Sequence, residues 1–388
     1  MIARVPGINL RLFPPSLEPW KGEGTGRADA VLMSGGVDSS VAALLLQQAG
    51  WKVLGITMKL PVAEGCGHTA PCCGAEAALV CHALGVPPYF LDAAEAFRAL
   101  VVEPFCRLYL QGHTPSPCVD CNTLLKFGLV WDFIEATFGI SHLATGHYAR
   151  VVEAGGRSRL ARAADLAKDQ SYFLYGVARE RLGSLLLPLG ALTKAEVRRR
   201  ARAAGLAVAE RPESMELCFA GEGDYRRALP ADAVKAPGPI LDRAGAVIGR
   251  HDGIAHFTLG QRHGLRVAAG RPLYVTRILP AENAIVVGTR EEATRREVWA
   301  AEVNVLAPER LRVGQRLCGK IRSHGEPEAC TVAAASAAGV AVVFDSPQFA
   351  PAPGQRLVLY DEHGGVVAGG TIGETAGVPS LCEQECVA

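Results

Sequence analysis

Ser34-Gly35-Gly36-Val37-Asp38-Ser39-Ser40 stands between an apolar run, residues 28–33, and an Ala/Leu-rich run, residues 41–46. A strand that turns through two glycines into a helix aims several backbone N–H groups at one point, because glycine curls without a Cβ clash. The helix N-terminus adds partial positive charge at the same place. Ser34, Ser39 and Ser40 contribute hydroxyl donors, and Asp38 stands where a carboxylate holds a metal bridging phosphates. The stretch reads as a phosphate cradle. It has no lysine of its own, unlike the G-x-x-x-x-G-K-[ST] loop.

Working outward, residues 51–58 read as a second buried strand, 74–84 as a helix ended by Gly85, and 89–91 as a third strand. Strands alternating with helices predict an α/β domain on a parallel sheet. Ligands of such sheets sit at the carboxyl ends of the strands, where Ser34–Ser40 and Met58 both fall. From about Pro239 the pattern changes to short strands with Gly-rich turns, among them 247–248, 256–258, 273–275, 285–287, 318–321, 340–344 and 356–360. That is an all-β region of two small barrels or sheets. The expected division is a loose extension (1–27), an α/β nucleotide-binding domain (28–225), a central β-rich domain (226–295), a C-terminal β-barrel domain (296–375) and a tail (376–388).

Composition narrows the class. The chain has 388 residues, 49% of them hydrophobic, which suits several globular domains and excludes disorder. No apolar run approaches the roughly 18–20 residues of a membrane helix, so a cytoplasmic protein is expected, without a membrane partner. A net charge of +1 argues against a uniformly basic nucleic-acid binder but leaves room for a local basic surface. Residues 193–205, with Arg198, Arg199, Arg200 and Arg202 on a capped helix, supply either such a patch or a solvated face. Twelve cysteines in a reducing compartment point to metal-binding or catalytic thiols.

Three thiol groupings stand out. Cys66, His68, Cys72 and Cys73 match no defined zinc spacing, and Cys382 and Cys386 read as free thiols. Thr114-Pro115-Ser116-Pro117-Cys118-Val119-Asp120-Cys121-Asn122 is different: two prolines force an extended approach, and Cys121-Asn122 is expected to open a helix to about Phe138. A thiol at a helix N-terminus has a lowered pKa. The third thiol is Cys218, in Glu213-Ser214-Met215-Glu216-Leu217-Cys218-Phe219. Residues 143–148 read as another buried strand ending in a Gly turn, with a structural histidine an even reading of His147, and residues 168–174, with Lys168-Asp169-Gln170, invite an RNA reading, where a solvated turn would look similar.

The phosphate loop resembles that of ATP pyrophosphatases, the PP-loop superfamily. Together, SGGVDSS, TPSPCVDCN with KFG, ATGHYAR, KDQSYFLY, ESMELCF, GDYR, LGQRHGL and Pro353-Gly354-Gln355 resemble, in order, the tRNA-specific 2-thiouridylase family over roughly residues 28–375. The resemblance implies adenylation of the C2 oxygen of the wobble uridine by ATP with Mg²⁺, then sulfur transfer. It implies ATP contacts at Leu32, Met33, Ser34, Gly35, Gly36, Val37, Asp38, Ser39, Met58 and Gly146. It assigns Cys218 as the sulfur carrier and Cys121 as its partner in a transient disulfide. It implies tRNA contacts at Ser116, Pro117, His147, Lys168, Asp169, Gln170, Arg322, Ser323 and Gln355, with Ser323-His324 departing from the family's usual aromatic or basic residue. The implied partner is a sulfur-relay protein or cysteine desulfurase. Cys118 stands where well-understood members have aspartate, so Cys118, Cys121 and Cys218 form a candidate three-thiolate set for a [4Fe–4S] cluster. Other PP-loop synthetases, or a non-catalytic RNA-binding relic, are the alternatives, and neither needs Cys121 and Cys218.

Overall fold

The computed structural model describes residues 10–13, 27–61, 74–212, 217–220, 225–230, 234 and 236–374. Cys66, Cys72, Cys73, Glu213–Glu216, Cys382 and Cys386 therefore lie outside the described residues, as does most of the N-terminal extension. The chain divides into two compact units, Met1–Val102 with Cys118–Gly223, and Glu103–Pro117 with Asp224–Ala388. Residues 103–117 thus group with the second unit although they lie inside the first in sequence.

In the first unit a six-stranded sheet runs β1 (Arg11–Phe13), β4 (Pro88–Asp92), β3 (Lys52–Lys59), β2 (Ala28–Leu32), β5 (His142–Ala144) and β8 (Leu185–Leu186). All pairings are parallel except that of β1. The strands β6 (Arg150–Ala154) and β7 (Arg157–Ala161) form a separate hairpin. The helices are α1 (Val37–Gln48), α2 (Gly74–Leu84), the short α3 (Ala94–Phe97), a run from α5 (Pro117–Asp120) to α6 (Trp131–Phe138), and α7 (Lys194–Ala203). The chain leaves β2 towards β3 and β4 on one side and later fills β5 and β8 on the other. The switch point is the carboxyl end of β2, where such sheets bind ligands and where Ser34–Ser40 begins.

A parallel sheet covered on both faces demands unbroken apolar strands, and Ala30, Val31 and Leu32 of β2 are all buried. Asp29 breaks that rule. It is fully buried, neither carboxylate oxygen has a hydrogen-bond partner, and desolvation pushes its pKa well up. Asp29→Val is expected to raise the unfolding free energy by about 1–3 kcal/mol, the cost of an unsatisfied buried polar group. Denaturant titration of the two proteins checks this, and equal stability would mean that Asp29 has a partner in solution.

The second unit contains α4 (Glu103–Leu110) and a four-stranded sheet, β10 (Val247–His251), β9 (Gly238–Leu241), β12 (Ala284–Gly288) and β11 (Tyr274–Leu279). Then comes a closed barrel, ordered β13 (Thr294–Val305), β16 (Gly339–Phe349), β15 (Glu328–Ser336), β14 (Arg316–Lys320), β17 (Arg356–Tyr360) and β18 (Val366–Ile372). Closure removes exposed strand edges. Its interior is Val, Leu and Ala around Phe344, whose ring fills the space a side chain at Gly319 would take: a Cβ there would lie 2.6 Å from Phe344 Cζ. The strand expected at 256–258 is instead a 3₁₀ turn, Ile254–His256, leading into a loop. Side-chain bonds override the local pattern there, since the His256 ring bonds Val234 O at 3.0 Å and Arg226 at 2.9 Å. Among the described residues no helix is long and apolar enough to cross a membrane.

Candidate nucleotide and sulfur-transfer site

The phosphate loop is tied into its shape by its own side chains. Gly35 takes φ +75°, open to glycine, and Gly36 is the N-cap of α1. Ser40 Oγ donates to Gly36 O at 2.8 Å, Ser39 Oγ to the same oxygen at 3.2 Å, and Ser34 Oγ lies 3.2 Å from Ser39 Oγ. The loop is preformed. Leu32, Met33 and Val37 point into the core, so they can offer a nucleotide backbone atoms alone. Met58 is half-buried near the end of β3. Gly146, after β5, packs against the start of α1: a Cβ there would sit 2.6 Å from Ser39 N and 2.7 Å from the Asp38 carbonyl carbon.

Asp38 is already engaged. Lys194 Nζ bonds both carboxylate oxygens at 2.7 Å, and Tyr148 OH donates to Oδ1 at 2.8 Å. Arg211 bonds Gly35 O at 3.2 Å and the Glu76 carboxylate. Sequence reasoning missed Lys194, Tyr148 and Arg211 as neighbours of the loop. Lys194 carried one signal: it is a cation directly after the Thr193 N-cap, where the helix dipole disfavours positive charge.

The thiol region differs from expectation at its start. The helix opens at Pro117, the residue type favoured at a first helical position, so Cys118 rather than Cys121 lies in the first turn. Asp120 is already helical, and from Cys121 to Val130 the coil widens into a π-helix. Such widening is rare and concentrates at functional sites. Five-residue spacing then sets Cys121 and Lys126 on neighbouring turns, and Lys126 Nζ bonds Asn122 Oδ1 at 3.0 Å.

The expected lowering of the Cys121 pKa is also corrected. Cys121 is buried, and desolvation pushes its thiol up while the Lys126 charge pulls it down. Cys118 and Cys218 reach solvent at one edge but are crowded by protein elsewhere. Burial raises both, Cys218 to about 12, with Cys121 and Cys118 adding to the rise and Lys126 opposing it. The Lys126 charge acts on all three thiols, Cys121 acts on Cys118, and both act on Cys218. All three are free thiols. Among the described residues no three His, Cys, Asp or Glu are grouped so as to hold a metal ion. With so high a pKa, alkylation of Cys218 by iodoacetamide is expected to climb roughly tenfold per pH unit from pH 7 to 9 without a plateau. Peptide mass spectrometry follows it, and a plateau below pH 9 would contradict the burial.

The residues considered for RNA contact separate into two kinds. Some are spent internally. The Asp169 carboxylate, 1% exposed, accepts from Arg162 Nε at 3.1 Å, Ala163 N at 3.0 Å and Ser171 Oγ at 2.9 Å. It organises a turn. Gln170 Oε1 accepts from Tyr148 N at 2.9 Å. His147 bonds Thr145 Oγ1 at 2.8 Å, and burial brings its pKa down to about 3, so it is a neutral imidazole and not a phosphate-binding cation. Ser116 and Pro117 are buried at the helix start. Others remain at the surface: Lys168 and Ser323 are half-buried, and Arg322 is exposed, donating to Phe349 O. Gln355 Nε2 donates to Thr114 O at 2.9 Å, clamping the stretch that leads to Cys118. On α7, Arg198 bonds the carbonyls of Ala209 and Arg211, and Arg202 pairs with Glu210.

Three family models match in series: a tRNA methyl transferase HUP domain over residues 28–222, a tRNA methyl transferase PRC-barrel domain over 228–289, and an aminomethyltransferase beta-barrel domain over 295–372. A tRNA-specific 2-thiouridylase of Syntrophus aciditrophicus is 42% identical over 91% of this chain and 96% of its own length. One of Moorella thermoacetica is 42% identical over 89% of this chain and 99% of its own. A solved U34-tRNA thiolase of Methanococcus maripaludis, described with its [4Fe–4S] cluster, is 17% identical over 49% of this chain and 60% of that one, with a TM-score of 0.30. A likeness that slight says nothing about the thiols here. With the phosphate loop, the three thiols and near-full-length relatives all in agreement, the chain belongs to the tRNA-specific 2-thiouridylase family.

Proposed function

We propose that the protein is an ATP-dependent tRNA-uridine 2-sulfurtransferase acting on the wobble uridine. The observation that carries this is the pairing, in one unit, of a preformed phosphate loop with three thiols that all feel the Lys126 charge. Replacing a uracil C2 oxygen by sulfur requires that oxygen to become a leaving group. Attack of O2 on the α-phosphorus of ATP forms the O–P bond and expels pyrophosphate. The loop's N–H groups would orient the phosphates, and Mg²⁺ brought with the nucleotide would neutralise their charge. Asp38 is the loop's carboxylate and fits as the metal's protein ligand.

Sulfur arrives on Cys218 as a persulfide, loaded by a sulfur-relay protein or cysteine desulfurase. Its terminal sulfur attacks C2, AMP leaves with the former O2, and a Cys218–S–S–C2 bond remains. Cys121 thiolate attacks Cys218 Sγ, releasing the 2-thiouridine thiolate and closing a Cys121–Cys218 disulfide. A dithiol reductant supplies the two electrons that reopen it. The target base leaves the anticodon stack to reach the site, as base-modifying enzymes require. Residues 28–225 would do this chemistry, with 226–295 and 296–375 supporting the tRNA through surface groups such as Arg322. An ATP- and tRNA-using enzyme with free thiols belongs in the cytoplasm.

The methyltransferase wording of the family model names another group transfer. Methylation needs neither an adenylating loop nor paired thiols. The test is nucleoside mass spectrometry of tRNA from a strain lacking the gene, where 2-thiouridine should disappear, and unchanged levels would overturn the assignment. Anaerobic purification with iron and sulfide quantitation tests the persulfide route. Iron-free protein that thiolates fully from a persulfide donor supports it, whereas about four irons per chain required for activity would replace it with a cluster.

A further inference from the structure

The phosphate loop has a gap in its chemistry. Its own donors are N–H groups and hydroxyls, all neutral, while the reaction it serves sheds a highly charged leaving group. Lys194 lies 156 residues away in sequence, yet its ammonium holds both oxygens of Asp38 at 2.7 Å. The side chain is 12% exposed and lies over the Tyr148 ring at 5.6 Å, and Tyr148 OH donates to the same carboxylate. Its backbone is fixed from two directions. Thr193 and Glu196 form a reciprocal capping box around the first turn of α7, and Lys194 N donates to Asp165 Oδ2 at 3.0 Å.

A lysine at that position works against the helix dipole and, being largely desolvated, needs an anionic partner. Acidic residues suit a first helical turn better, so stability alone does not call for this cation. The Asp38 carboxylate partners it in the free protein. A triphosphate in the loop brings several negative charges within reach of a flexible four-carbon stem, and the same ammonium can then turn from carboxylate to phosphate.

We propose that Lys194 is a catalytic residue of adenylation, the cation that receives the departing pyrophosphate, with Asp38 holding it in place until nucleotide loads. The proposal rests on the adenylation reading above. As uracil O2 bonds to the α-phosphorus, the bond from that phosphorus to the bridging oxygen breaks, and the electron pair stays on pyrophosphate. Lys194 Nζ donates hydrogen bonds to that developing charge and exchanges no proton. Moving to the phosphates also frees Asp38 for the nucleotide's metal, so one exchange would prepare both partners.

The test uses the full-length protein with Lys194→Met, of similar length but uncharged, and Lys194→Arg. Calorimetric titration with inorganic pyrophosphate alone should show about tenfold or greater loss of affinity in Lys194→Met, and near-wild-type binding in Lys194→Arg. Single-turnover release of pyrophosphate from ATP and tRNA should fall about 10²–10³-fold in Lys194→Met. Lys194→Ala should recover part of its rate with added methylammonium, a response that a purely structural role would not give. Unchanged pyrophosphate affinity in Lys194→Met, with a lowered melting temperature as the sole effect, would overturn the proposal. Absence of any pyrophosphate release by the wild-type protein with tRNA would instead overturn the adenylation reading, a separate outcome.

Discussion

Cys218→Ser is expected to make no 2-thiouridine, while its ATP-dependent pyrophosphate release with tRNA should stay within about twofold of wild type. In the proposed mechanism adenylation uses the loop at the end of β2 and the sulfur step uses thiols on other elements, so a one-atom change at Cys218 should separate them. Serine keeps the size of the side chain and removes its capacity to carry a second sulfur. Cys218 also has the exposure that loading requires, whereas Cys121 is buried. Its raised pKa means that the free thiol is a poor nucleophile at neutral pH, which suits a carrier activated by becoming a persulfide. Radiolabelled sulfur transfer and a coupled pyrophosphate assay on one preparation read both halves. Normal thiolation by the variant would remove Cys218 from the mechanism, and loss of both activities would show that it supports the nucleotide site.

Gly146→Ala should lower the adenylation rate about 10²-fold, the effect of displacing reacting groups by the order of an ångström. The new Cβ would fall 2.6 Å from Ser39 N and 2.7 Å from the Asp38 carbonyl carbon, backbone atoms that cannot rotate away. Either the loop after β5 retreats or the start of α1 shifts, and both deform the phosphate cradle. The stability loss should be about 1–3 kcal/mol, as for other overpacked sites. ATP titration and thermal melting of the variant measure the two effects. Wild-type ATP affinity and rate would mean that the cradle tolerates the shift and that the close approach is incidental.

The nucleotide loop was legible because everything that defines it is local: an apolar run, two glycines, serines and a helix within a few residues. The barrel and the parallel sheet were legible for the same reason, through spacing and burial patterns. Lys194 was not, because nothing within α7 says which strand end it will meet. The Cys121 thiol was misjudged on two counts. Pro117 starts the helix earlier than the paired prolines suggest, and burial, a tertiary quantity, outweighs a terminal dipole. Asp169 shows how a tertiary role stays hidden in a charged, aromatic-flanked string: its carboxylate closes a turn. The strand expected at 256–258 failed because one imidazole found partners more than twenty residues away in the chain, Val234 and Arg226.

The short loop after β5 touches both halves of the chemistry. Gly146 abuts the start of α1, Tyr148 holds Asp38, and between them the His147 ring lies 6.0 Å from that of Phe127, on the helix that carries Cys121. Thr145 and Gln170 pin that loop, so it moves as a piece or not at all. One three-residue loop thus borders both the start of α1 and the helix that bears Cys121, so a single substitution in it bears on two regions at once.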